Sequence, residues 1–233
     1  MSTDAQETVV LVHGLGRSRL SLRTLARRLR EAGFATVNVP YAPTFHRFET
    51  LVEDFHDYLV KEVKTERYHL VGHSLGNILI RARFAHGYPT ELGRIVMLAP
   101  PNHPPRLARK LHSFPPFRLW AGDSGQQLAS QAFYDTLPTP TVPFGVIAGS
   151  KGQRLTFGEP NDGIVTVEST RLAGMKEHLV LPHTHTFMMN SLAPGLSKPT
   201  DCSHGQDASA LSDDSLYHSH CGHRVFRGYR RDG

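Results

Sequence analysis

The stretch "LVGHSLGN", residues 70–77, sets a serine between two glycines directly after an apolar run. A serine hydroxyl is a weak nucleophile, so chemistry at Ser74 requires a base within hydrogen-bond reach and a third group that orients that base. Both have candidates downstream: "GEPNDGIVTVEST" offers Asp162 ahead of a glycine and an apolar pair, and "LPHTHTFMMN" offers His183 and His185. Glu159 and Glu168 flank Asp162 but lack the Gly-Ile-Val that follows it. Upstream, "VVLVHGLG" places His13, Gly14 and Leu15 after another apolar run. A backbone N–H at Leu15 and one at Leu75 would be fixed donors for an oxyanion developing beside the serine.

These groups are scattered, so the elements around them must gather them. Short β-rich runs at 8–12, 34–39, 68–72, 94–99, 142–149 and 177–182 alternate with helical patterns, of which Phe48, Leu51, Val52, Phe55, Tyr58, Leu59 and Val63 form one amphipathic stripe. Runs that are apolar throughout are covered on both faces, so the expected architecture is α/β: a mostly parallel six-stranded sheet flanked by helices. Gly72 ends the third run and Leu75 begins a helix, a strand–turn–helix in which Gly72 and Gly76 leave room for a strained Ser74. That position is the C-terminal edge of the sheet, where open α/β sheets bind ligands. The order Ser, Asp, His, each just past a strand, fits the same edge.

Two segments break the alternation. Residues 100–125, rich in proline and aromatics, read as a small cap or binding loop, with Phe114, Phe117 and Trp120 either lining an acyl pocket or only sealing the cap. Asn102 would border the site. From about residue 191 the chain loses apolar periodicity, so 1–190 reads as one domain and 191–233 as a low-complexity, disordered tail. Its "HSHCGH" run, with Cys202 and His204, has metal-ligand residue types without a recognised spacing.

Bulk properties narrow the partners. With a net charge of +5 the chain could favour anions, yet its basic residues do not interleave with aromatics as a nucleic-acid surface requires. Arg17, Arg19, Arg23, Arg27, Arg28 and Arg30 accompany an apolar stripe and read as a solvated helix face, leaving weak, salt-dependent contact with a membrane surface open. The opening residues lack a basic flank and long apolar core, which favours a cytoplasmic location. Both cysteines fall in the tail, so no disulfide framework holds the main fold. Asn161 and Asp162 are too few oxygen donors for a calcium site, and neither a metal nor a cofactor is expected.

Taken together, "HGLG", "GHSLGN", "NDGIVTVES" and "HTFMM" make residues 8–190 resemble the α/β-hydrolase family, in particular its short lipase and esterase branch and the compact bacterial triacylglycerol lipases. The resemblance implies that Ser74 is the nucleophile, Asp162 the acid and His185 the base, the family histidine directly preceding a stretch like "TFMM". His183 is its rival, whereas His73 and His178 read as structural and His13 as loop-shaping. It implies a small-molecule or lipid ester as substrate, cleaved through an acyl-enzyme, with acyl transfer or thioester cleavage as the alternative. The oligomeric state is not encoded here. A final helix normally follows the family histidine, and Pro194, Gly195 and Pro199 would break one; a frame-altered end and an inactive product are the readings that this departure opens.

Overall fold

A computed structural model describes residues 7–153 and 157–191. The tail, with Cys202, His204 and the run 218–223, lies outside the described residues, as do the questions of its disorder and reading frame. The strands are β1 (Thr8–Val12), β2 (Ala35–Asn38), β3 (Arg67–His73), β4 (Glu91–Leu98), β5 (Phe144–Gly149) and β6 (Glu177–Leu181). They stand in the order β2-β1-β3-β4-β5-β6, and every pairing is parallel.

Alternation along β1 explains the layers. Val9 and Leu11 face one side, where they pack with Leu25 and Leu29 of α1 (Arg23–Glu31), and Val10 and Val12 face the other, toward α2 (Phe48–Glu62) and α3 (Leu75–Arg83). Helices therefore cover both faces. The outer strands β2 and β6 are only half-buried, as edge strands are. Helix α3 is the most enclosed: Leu75 through Ile80 are all buried. Truncating a side chain such as Leu79 in a site like this costs about 2–5 kcal/mol.

On α1 the arginines do form a solvated face: Arg23, Arg27 and Arg30 are exposed, Arg27 pairs with Glu31 one turn on at 3.7 Å, and Arg30 donates to Thr36 Oγ1. The segment read as a cap loop is instead mostly helical, with α4 (Arg106–Leu111), α5 (Pro115–Ala129) and α6 (Gln131–Thr136). The reason lies in where its prolines stand. Pro105 precedes α4 and Pro115 and Pro116 occupy the first turn of α5, where a missing N–H and a fixed φ start a helix rather than break it. Helix α5 is bent at Gly122 (φ 58°), and a Cβ there would lie 2.4 Å from the Thr44 carbonyl oxygen. At this bend Asp123 Oδ2 accepts the Phe48 N–H at 2.8 Å, capping α2 from another helix.

The strand order also decides where a site can form. The chain leaves β1 toward β2 on one side and later places β3 on the other, so the loops after β1 and β3 flank a switch point, the place where open α/β sheets bind ligands. Those loops carry Gly14 and Ser74.

Candidate active site

Ser74 is held in a backbone conformation that few non-glycine residues adopt, with φ 52° and ψ −122°. Such a conformation costs about 1–3 kcal/mol and persists only where its surroundings fix it. They do so here. Leu98 O of β4 accepts from the Ser74 N–H at 3.0 Å and from Asn77 Nδ2 at 3.1 Å, and Ser74 O accepts the Asn77 N–H at 3.0 Å. A Cβ on Gly76 would stand 2.3 Å from Val12 O, and one on Gly72 2.2 Å from Asn77 Oδ1, so both positions are closed to side chains.

The loop after β1 passes directly against this turn: a Cβ on Gly14 would lie 2.9 Å from Ser74 Cβ. Leu15 follows on that loop. Leu75 opens α3, and the first N–H groups of a helix have no partner within it and carry the positive end of its dipole. Trp120 of the cap closes over the same loop, its ring reaching within 2.5 Å of where a Gly16 Cβ would be.

Asp162 and His185 come together in the loops after β5 and β6. His185 Nδ1 lies 2.7 Å from Asp162 Oδ2, both side chains being buried, and the His185 N–H donates to Asp162 O at 2.9 Å. The second carboxylate oxygen, Oδ1, accepts the N–H groups of Ile164 (2.9 Å) and Val165 (2.8 Å), which fixes the acid's rotamer. A carboxylate only accepts, so His185 carries its proton on Nδ1 and leaves a lone pair on Nε2. Gly149, at the end of β5, makes the approach possible, since a Cβ there would be 2.7 Å from Asp162 Cβ.

Three ties among the loops after β1, β2, β3 and β6 were not foreseen. His73, next to Ser74, has its Nε2 3.0 Å from His185 O, and the two rings are 4.9 Å apart. Burial, and secondarily the neighbouring His185, push the His73 imidazole down to about 3, so it is neutral and donates from Nε2. Arg17 donates to Thr186 Oγ1 at 2.6 Å, joining the loop after β1 to the histidine loop. Tyr41 donates to His13 O and stacks on the His13 ring at 4.3 Å. His13 itself bonds Gly14 O at 3.0 Å, and burial lowers its pKa, as befits a loop-shaping residue. Each tie spans loops distant in sequence, where no local pattern signals it.

Other candidates stand apart. His183 enters through its carbonyl, which accepts from Lys151 N at 3.2 Å, and His178 Nε2 bonds Thr170 Oγ1 at 2.9 Å. Asn102 is buried, donates to Thr170 O at 2.8 Å and accepts from Arg81 at 3.3 Å, bracing the loop after β4. Asn161 turns its side chain to Gly163 N, Gln153 O and Glu159 O. Of the three cap aromatics only Trp120 has contact with the Gly14–Arg17 loop among those described; Phe117 packs against Trp120 at 6.1 Å, and Phe114 is exposed at the start of α5. A groove of about 640 Å³ beside α2 is lined by Tyr41, Tyr58, Asp54 and Lys61, and none of Ser74, Asp162 and His185 borders it. Among the described residues no three His, Cys, Asp or Glu side chains cluster closely enough to hold a metal ion.

The same architecture recurs in solved structures. The mature lipase of Bacillus licheniformis superposes with a TM-score of 0.63 at 19% identity, over 82% of this chain and 89% of that one. A metagenomic carboxyl esterase gives 0.61 at 17% identity, over 78% and 65%. An extracellular α/β-hydrolase from a Paenibacillus species gives 0.54 at 17% identity, over 80% and 96%. These identities speak for the fold. No curated protein matches the chain. The model of the alpha/beta hydrolase family, however, matches residues 9–217, from the first strand past the histidine loop; the chain belongs to the alpha/beta hydrolase family.

Proposed function

We propose that the chain is a serine hydrolase of carboxylic esters. The observation that carries the reading is the buried 2.7 Å contact between His185 and Asp162, in a loop that His73 ties at 3.0 Å to the strained turn of Ser74. His185 Nε2 takes the hydroxyl proton as Ser74 Oγ attacks the ester carbonyl, and Asp162 holds the ring and stabilises its charged form. The Leu15 and Leu75 amides receive the negative oxygen, each such donor being worth about 10² to 10³ in rate. Collapse expels the alcohol with the proton from His185, and a water deprotonated by the same ring then attacks the acyl-enzyme, releasing the acid and restoring Ser74. The lipase and the carboxyl esterase among the structural matches support an ester as the substrate class, and the Trp120 indole over Gly16 supports an apolar wall beside the acyl group.

Hydrolysis of nitrophenyl esters of graded chain length, with the acid product identified, tests the reading. Turnover with a burst of nitrophenol is expected. A folded chain that releases no acid from any ester of the series would contradict it.

A further inference from the structure

Helix α5 divides at Gly122 into two halves of opposite character. Beyond the bend, Ser124, Gly125 and Leu128 are buried. Before it, Ala121 is fully buried and thereby marks the inward face, and Leu119, two residues earlier, points the opposite way at 100° per residue. A solvated helix carries a polar residue there. Here stands a leucine that is 84% exposed, next to Trp120 at 53% and following Phe114 at 54%. The neighbouring loop adds to this face. Thr44 Oγ1 donates to Trp120 O at 3.0 Å, which brings Phe45, 85% exposed, to the same edge. Scattered exposed apolar residues are ordinary, but Leu119, Trp120 and Phe45 gathered at one edge are a feature to explain.

The charge on α4 and the first half of α5 is one-sided. From Pro100 to Gly122 the chain has no aspartate or glutamate, yet it carries Arg106, Arg109, Lys110 and Arg118. Arg106 faces Glu159 at 3.6 Å, whereas Arg109, Lys110 and Arg118 are exposed and form no ion pair among the described residues. Helix α4, which bears two of them, packs against α5. Exposed Trp, Phe and Leu flanked by uncompensated Arg and Lys are the pattern of an element that lies at a bilayer surface, its rings at headgroup level and its cations against anionic lipid. No helix among the described residues is long and apolar enough to cross a membrane.

We infer that α4 and the first half of α5 form an adsorption surface for an anionic lipid bilayer, which seats Trp120 and the loop beneath it at the interface. The inference does not rest on ester hydrolysis, because adsorption needs the cap and not Ser74. Its test uses the full chain, in which Trp120 is the single tryptophan and so reports on the cap alone. Vesicles of phosphatidylcholine mixed with phosphatidylglycerol are compared with vesicles of phosphatidylcholine only, by co-sedimentation and tryptophan emission. Binding to the mixed vesicles with a blue shift of Trp120, weakened by salt, is expected. Arg109→Glu, Lys110→Glu and Arg118→Glu together should weaken binding about 100-fold or more. Leu119→Ser, which leaves the charges in place and guards against misfolding of the triple variant, should weaken it about 10-fold. Arg23→Glu with Arg27→Glu on α1 should leave it unchanged, as should Ser74→Ala. Absence of binding to the mixed vesicles, binding without a change in Trp120 emission, or loss of binding in the α1 variant but not in the cap variants would overturn the inference.

Discussion

The loops that carry Ser74, Asp162 and His185 and the cap, whose Trp120 leans on Gly16 of the loop after β1, are built in opposite ways. In the loops, polar groups are committed to one another: both oxygens of Asp162 are bonded, His73 holds His185, and Leu98 O anchors the serine turn twice. In the cap, Leu119 and three cations face solvent with no such partners among the described residues. The difference teaches which residues tolerate change. A group bonded on several sides cannot be altered without leaving a buried neighbour unpaired, whereas an exposed side chain can be altered without a folding cost.

The sharpest way to break the contrast is at the serine. Ser74→Ala should lower ester turnover about 10⁶-fold while thermal melting stays near that of the wild type. Asp162→Asn keeps the shape but imposes the wrong tautomer on His185, so steady-state kinetics should show a loss of about 10⁴-fold. Gly76→Ala probes the frame rather than the chemistry: its methyl would stand 2.3 Å from the Val12 carbonyl oxygen, and denaturant titration should register a loss of about 3 kcal/mol.

His73 sharpens the comparison through pH. Its imidazole, pushed by burial from the ordinary 6.5 to about 3, stays neutral in the folded chain while the unfolded chain takes up the proton. Stability from this group is therefore fully present above pH 6.5 and is lost as pH falls toward 3, on the order of 3 kcal/mol by pH 4. Melts of the wild type and of His73→Gln between pH 7 and 4 should show the wild type falling more steeply. Equal slopes would mean that His73 is not the buried neutral group described. The smallest effect belongs to the cap, where Leu119→Ser should change folding stability by no more than about 0.5 kcal/mol.

What was legible in the sequence follows the same division. The serine turn announced itself because its sterics exclude side chains at Gly72 and Gly76, and a steric demand is written at the position where it acts. The strands were legible from their apolar runs, and the Asp162 loop from a short motif whose turn is local. The cap was misread as a loop because proline signals both the end of one element and the start of another, and only the helix that follows decides which. The bonds of Asn102 to Thr170 and Arg81 were not legible because they depend on β4, α3 and the 168–170 turn meeting. The bonds from His73 to His185 and from Arg17 to Thr186 span more than a hundred residues each, and no periodicity carries such information.

The most direct measurement is covalent. A fluorophosphonate reacts only with a serine whose hydroxyl is activated, and peptide mapping by mass spectrometry locates the adduct. Uptake of one phosphonyl group at Ser74, abolished by His185→Ala in a folded protein, is the predicted result. A folded wild type that stays unlabelled, or an adduct at Ser74 that forms equally well without the His185 imidazole, would contradict the account.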